Sequence, residues 1–104
     1  MGEHKKKEQQ KIQIEADKQI TRGMYSNYAQ VSHSADEFML DFFFIQPQTD
    51  NPKTGTLLSR IIASPAHTKR ILRVLGKNID KYENQFGEIK EAAPPVVGET
   101  TLVQ

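Results

Sequence analysis

The sequence predicts a small α+β domain: an antiparallel sheet of three to four strands, packed against one long C-terminal helix in the order β-β-β-α. Three observations predict this class. Apolar and polar residues alternate over three short segments, a helix start signal follows the third segment, and a helical apolar repeat follows that signal. A chain of 104 residues has room for one domain, and 37% hydrophobic residues suffice for a small core.

The predicted strands lie in the middle of the chain. Alternation predicts a first strand over residues 25–33, and the densest apolar run predicts the strongest strand over residues 37–46. A third strand is predicted over residues 56–63. Residues 47–55 are rich in Pro, Asn, Asp and Gly, so they form the loop between the second and third strands.

The two ends have different compositions from the middle. Residues 1–10 are mostly Lys, Glu and Gln, which bury too little apolar surface to offset backbone ordering, so a disordered basic arm is predicted. Ile12 and Ile14 alternate with polar neighbours, which favours a short edge strand. The predicted domain therefore spans residues 11–89. Residues 90–104 are rich in Pro and lack periodicity, so they form a flexible tail.

A long helix is predicted over residues 65–86. Ser64 is a favoured N-cap, because its hydroxyl can accept from an early backbone N–H, and Pro65 suits the first helical position. Gly87 stands where helices commonly end with a residue at positive φ. Apolar or small side chains at steps of three and four predict the buried stripe: Thr68, Ile71, Leu72, Leu75, Ile79, Tyr82 and Phe86.

The second strand is apolar on both faces. One face carries Phe38, Leu40, Phe42 and Phe44, and the other carries Met39, Asp41, Phe43 and Ile45. The third strand is predicted to place Leu57, Ile61 and Ala63 on one side, and Leu58 and Ile62 on the other. One helix cannot cover two faces, and a large exposed apolar patch marks an interface. A homodimer is therefore expected, with an interface formed by Met39, Phe43, Ile45, Leu58 and Ile62. The alternative is that the N-terminal strand or a folded-back tail covers the second face.

Residues that could carry chemistry are few. Asp41 and Arg60 are expected to form an ion pair across the hairpin. Zero Cys excludes thiol catalysis and thiolate metal sites, and three His lack ligand spacing. Ser64 and His67 are best explained by helix capping. We therefore expect no enzyme, no catalytic or metal-binding residue, no cofactor and no small-molecule substrate.

The net charge of +1 demands no anionic partner, but the basic residues are unevenly placed. Residues 65–87 contain five basic and two acidic side chains. Four of the basic ones share a helix face nearly opposite the apolar stripe, and we call them the basic ridge: Arg70, Arg73, Lys77 and Lys81. Such a ridge can neutralise phosphates, and the arm with Lys5, Lys6 and Lys7 can assist it. The alternative is an ordinary solvated helix face.

The motifs of the chain, taken together over about residues 20–90, resemble a family of small bacterial proteins. The matching residues are Tyr25-Ser26-Asn27, Glu37-Phe38, Leu40-Asp41-Phe42, Ser64-Pro65, His67, Lys69-Arg70, Leu72, Leu75, Asn78-Ile79, Tyr82-Glu83 and Phe86-Gly87-Glu88-Ile89. That family is known as a domain of unknown function, about a hundred residues long. The resemblance implies a bacterial, cytoplasmic protein and supplies no activity.

Two functional hypotheses follow from the sequence. The first is a non-enzymatic, homodimeric interaction module. The second is a nucleic-acid-binding or regulatory protein that uses the basic ridge. No stretch of the chain approaches the length of a membrane span, and the N-terminal residues lack the apolar core of a secretory signal, so no membrane partner is expected.

Overall fold

The computed structural model describes residues 11–47 and 54–92. One sheet has three antiparallel strands in the spatial order β1-β2-β3. The elements in chain order are α1 (Lys18–Arg22), β1 (Tyr28–His33), β2 (Phe38–Ile45), β3 (Gly55–Ala63) and α2 (Pro65–Phe86). The β-β-β-α order confirms the predicted α+β class. The predicted arm and residues 93–104 of the predicted tail lie outside the described residues.

Helix α2 has the bounds that its capping residues predict. The Ser64 hydroxyl oxygen accepts from the backbone N–H of His67 at 3.2 Å. At the other end Gly87 has φ of 100°, a region that favours glycine, and its N–H donates to the Glu83 carbonyl at 2.9 Å. Signals within a few residues of each end therefore determine where the helix begins and ends.

The prediction of an N-terminal edge strand is wrong. Residues 11–17 form neither helix nor strand, and α1 follows. Asp17 caps α1, because its carboxylate accepts from the Gln19 N–H at 2.8 Å, and Gly23 ends it at φ of 75°. The short capped helix forms close to this segment, the alternating residues form no strand, and Ile12 and Ile14 are exposed to solvent.

The register of the strands defines two faces of the sheet. The Phe42 face contains Ala29, Val31, His33, Phe38, Leu40, Phe42, Phe44, Thr56, Ser59, Ile61 and Ala63. The Asp41 face contains Tyr28, Gln30, Ser32, Met39, Asp41, Phe43, Ile45, Gly55, Leu57, Arg60 and Ile62. An irregularity between Phe42 and Phe43 makes Phe43 pair with Leu57. The predicted grouping of Leu57 with Ile61 and Ala63 is therefore wrong, because an extra residue in one strand shifts the alternation beyond it.

The described residues do not enclose a hydrophobic core. Among the described residues the buried hydrophobic side chain is Ala63, at 8% exposed. Strands β1 and β2 pack together, as do β2 and β3, whereas α2 makes sparse contacts with the rest of the described chain. None of the 22 residues of α2, all of them described, is buried. The expectation that α2 packs on the sheet of its own chain is therefore not met, although the fold class is confirmed.

Candidate interaction surfaces

One open apolar surface is the stripe along α2. Its side chains follow helical spacing, as predicted, but α2 makes sparse contacts with the sheet of the same chain. Leu72 is 69% exposed, Leu75 is 56% exposed and Phe86 is 67% exposed. Tyr82 and Phe86 contact each other, with ring centroids 4.9 Å apart. An amphipathic helix with this exposure is typical of a surface that binds another element.

A shallow groove of about 510 Å³ runs along the same helix. The described residues that line it all belong to α2: His67, Arg70, Ile71, Val74, Leu75 and Asn78. The lining is mostly apolar by area, with His67, Arg70 and Asn78 as its polar members. Asn78 does not reach a distant group, since its amide donates to the Val74 carbonyl of the preceding turn at 3.2 Å.

The Phe42 face of the sheet is also open. Val31, Leu40 and Ile61 face one another across the three strands and form a row of aliphatic side chains. Val31 is 58% exposed and Ile61 is 47% exposed. No Asp, Glu, Lys or Arg lies on this face of the described strands. This surface is therefore largely apolar, with His33, Thr56 and Ser59 as its polar residues, and nothing in the described part of the chain covers it fully.

The Asp41 face carries most of the residues predicted to form the dimer interface. Met39, Phe43 and Ile45 are half-buried, and Ile62 is exposed. The Phe43 ring contacts Tyr28, with centroids 5.6 Å apart. Leu58 is half-buried and lies at the register irregularity, where it has no direct partner in β2. Their part in an interface stays a prediction.

The ion pair between Asp41 and Arg60 is confirmed. Arg60 Nε donates to Asp41 Oδ1 at 2.8 Å, and an Arg60 terminal nitrogen donates to Oδ2 at 2.9 Å, so the contact is bidentate. The Arg60 hydrogen bond lowers the pKa of Asp41 below its usual value. Arg60 thus engages both carboxylate oxygens of Asp41, and the pair joins β2 to β3.

Two side chains before β1 extend its pairing with β2, a role that sequence reasoning missed. Asn27 Nδ2 donates to the Ile45 carbonyl at 2.9 Å, and the Ile45 N–H donates to Asn27 Oδ1 at 2.7 Å. The Ser26 hydroxyl donates to the Phe43 carbonyl at 2.9 Å. The Asn27 side-chain amide thus makes the two hydrogen bonds to Ile45 that a backbone residue of a neighbouring strand would otherwise make. The only signal in the sequence is an amide side chain placed directly before a strand.

The basic ridge is fully exposed. Arg70, Arg73, Lys77 and Lys81 are all open to solvent. Within residues 11–47 and 54–92, none of the four forms an ion pair with a carboxylate. The Lys5–Lys7 part of the hypothesis lies outside the described residues. Arg73, Lys77 and Lys81 lie on the side of α2 away from the apolar stripe, whereas Arg70 also lines the groove that contains Leu75.

The residues considered for catalysis have local structural roles. The His33 ring stacks on Phe38 at 5.2 Å, and the Ser64 hydroxyl caps α2. In the described ranges, no group of three or more His, Cys, Asp or Glu side chains is arranged to hold a metal ion. The described helices are also too short or too polar to cross a bilayer.

Comparison with known proteins gives one positive result. A family model described as "Protein of unknown function (DUF3467)" matches residues 1–91. The match extends to residue 1, so it is wider than the span of about residues 20–90 over which the motifs resemble a family. No curated protein matches the chain. No solved structure matches it either.

Proposed function

The chain belongs to the DUF3467 family of proteins of unknown function, and we propose that it is a non-enzymatic homodimeric interaction module. One observation carries the proposal: a 22-residue amphipathic helix and a three-stranded sheet each leave an apolar face open in the single chain. Soluble chains rarely leave apolar patches of this extent exposed to water. The proposal includes the bacterial, cytoplasmic setting that the resemblance implies.

The free energy gained by covering the exposed apolar side chains favours association. Covering apolar surface is worth roughly 25 cal/mol per Å², so covering the half-exposed side chains of the α2 stripe would contribute several kcal/mol. A domain of this size has little other apolar burial to hold it together. The free energy of association would therefore be a large part of the free energy of folding.

A second copy of the chain is the simplest partner. Most soluble oligomers are homo-oligomers, and a twofold axis lets one self-complementary patch satisfy both chains. Every copy carries the same apolar helix and the same apolar sheet faces. Two chains can thus cover each other without a further protein.

The test is the mass of the protein in solution. Sedimentation equilibrium across nanomolar to high micromolar concentration should show twice the 11.8 kDa chain mass at the upper end. Leu75→Asp places a charge in the apolar stripe and should weaken association at least 100-fold. Lys77→Asp is the matched control, because it introduces the same side chain on the basic ridge, and it should leave the mass unchanged. A strictly monomeric wild-type protein at all concentrations would contradict the proposal.

Nucleic-acid binding is a second candidate function, supported by the exposed basic ridge. Its four cations lie on one side of α2, and a dimer would present two such ridges. Phosphate neutralisation by Arg and Lys gives binding that weakens as salt rises. No aromatic side chain lies within the ridge to stack on bases, so contact through the phosphate backbone is the proposed mode.

Titration with duplex DNA, single-stranded DNA and RNA at two salt concentrations tests this candidate. Binding that falls with salt, and that Arg73→Glu with Lys77→Glu abolishes, would support it. Lys18→Glu with Arg22→Glu is the control for overall charge, because it changes the net charge equally and both residues belong to α1, not to the ridge. Unchanged affinity in the double variant would exclude the ridge as the contact surface.

A further inference from the structure

We infer that each α2 covers the Phe42 face of the second copy, so that two chains exchange helices reciprocally. This inference rests on the proposed homodimer and states which surfaces meet. The two surfaces are the α2 stripe, centred on Leu72, Leu75, Ile79 and Tyr82, and the Phe42 face, centred on Val31, Leu40 and Ile61.

The junction between β3 and α2 keeps the helix off its own sheet. Ser64 is the one residue between Ala63 and Pro65, and it is extended at φ of −65° and ψ of 158°. A residue before proline avoids the helical region, and the proline ring fixes the next φ. Thr68 adds two hydrogen bonds to the Ser64 carbonyl, from its N–H at 2.9 Å and its hydroxyl at 2.8 Å. The chain therefore has little freedom to turn the helix back.

The two surfaces match in length and in area. Helix α2 is about 33 Å long at ~1.5 Å per residue, and β3 spans about 30 Å at ~3.3 Å per residue. The exposed apolar part of the stripe amounts to roughly 500 Å² per chain. Two stripes and the two sheet faces beneath them would bury more than the ~1,000 Å² that a stable interface needs.

The chemistry of the faces selects the Phe42 face over the Asp41 face. The Asp41 face carries the guanidinium of Arg60, which is 36% exposed, and the polar side chains of Gln30 and Ser32. Covering the Arg60 charge with Leu75 and its neighbours would remove its water without offering a new partner. The Phe42 face has an aliphatic row and aromatic rings, and its polar side chains, His33, Thr56 and Ser59, include no Asp, Glu, Lys or Arg, so desolvation there opposes association less.

Cysteine cross-linking tests the arrangement, because the natural chain contains no Cys. Chains with Leu75→Cys are mixed with differently tagged chains that carry Ile61→Cys or Ile62→Cys, and a short bis-maleimide joins neighbouring thiols. Ile61 and Ile62 are consecutive residues on opposite faces, so each is the matched control of the other. We expect covalent heterodimers with Ile61→Cys at least five times more abundant than with Ile62→Cys.

Other outcomes separate this inference from the proposed homodimer. A dimeric mass with Leu75→Cys chains joined to each other would mean that two α2 helices pack together, and would overturn the exchange alone. A dimeric mass with preferential joining to Ile62→Cys would overturn it in favour of the Asp41 face. A monomeric mass without any joining would overturn both. Repeating the scan with Leu72→Cys and Tyr82→Cys, and checking each variant by circular dichroism, guards against a single misfolded variant.

Discussion

The sheet and α2 both form their backbone hydrogen bonds within one chain, but the sheet joins residues distant in sequence and α2 joins residues close in sequence. Both leave apolar side chains exposed. In the sheet, hydrogen bonds and the Asp41–Arg60 pair join residues far apart in sequence. In α2 each contact that fixes the helix is local, from the Ser64 cap to the Gly87 turn. Hydrogen bonding is thus largely complete in one chain, whereas hydrophobic burial is not.

In the proposed dimer, hydrogen bonds are made within each chain, whereas apolar side chains would be buried between two chains. Backbone pairing sets the register of β1, β2 and β3 without a partner. An isolated helix is marginal in water, and most helices in proteins are held by packing of an apolar face. The stability of α2 should therefore depend on association more than that of the sheet.

The largest expected effect is a dependence of thermal stability on protein concentration. If folding is coupled to dimerisation, a hundredfold dilution removes about 2.7 kcal/mol per dimer, which lowers Tm by roughly 5–10 °C. Circular dichroism at 222 nm, followed on heating at several concentrations, measures it. Leu75→Asp should melt at a temperature that does not change with concentration, and a wild-type Tm equally unaffected by dilution would contradict the coupling.

The next largest effect concerns the side-chain hydrogen bonds that extend the sheet. Asn27→Ala removes both hydrogen bonds to the Ile45 backbone, and we expect a loss of about 1.5 kcal/mol, since water reaches the vacated groups. Urea unfolding measures the change. Asn27→Asp keeps the acceptor for the Ile45 N–H but not the donor, so it should fall between the wild type and Asn27→Ala. Equal stabilities of all three would show that the amide does not support the ladder.

Asp41→Asn should remove about 1 kcal/mol of stability near neutral pH, less than for a fully buried pair, because solvent screens the exposed Arg60. The pKa of Asp41 is lowered on folding, so its contribution is present above the unfolded value of 3.8 and is lost as pH falls through the folded pKa. Urea unfolding from pH 7 to pH 2 should therefore show a steeper acid loss for the wild type than for Asp41→Asn. Parallel pH profiles would contradict the assignment.

The smallest effect should come from the helix cap. Ser64→Ala removes the acceptor for the His67 N–H, which costs between about 0.5 and 1 kcal/mol at an exposed N-cap. Ser64→Asp restores an acceptor and should recover the wild-type stability. Thermal unfolding of both variants at one fixed concentration makes the comparison. A loss that Ser64→Asp fails to recover would mean that the cap acts through something other than this hydrogen bond.

Features set by neighbouring residues could be predicted from the sequence. The bounds of α2 follow from Ser64, Pro65 and Gly87, all adjacent to the helix ends. The Asp41–Arg60 pair follows from two opposite charges in strands joined by a hairpin.

Three features could not be predicted: whether a segment forms a strand or lies beside a capped helix, the register between strands, and the direction of α2 relative to β3. Ile12 and Ile14 alternate like a strand, but no strand edge pairs with them, and Asp17 caps a helix close by. The irregularity opposite Phe43 leaves no mark in the pattern of apolar residues around Leu57 and Leu58. The direction in which α2 leaves β3 depends on the dihedral angles at Ser64, which no periodicity encodes.

Because one residue separates β3 from α2, the proposed dimer makes chain length at that point a determinant of assembly. Inserting a short Gly-Ser stretch between Ala63 and Ser64 would keep the cap and the proline but supply a flexible tether. The helix could then swing back, and each molecule would shield itself. If the proposed dimer forms, a change of a few codons would thus turn two mutually dependent polypeptides into self-sufficient ones.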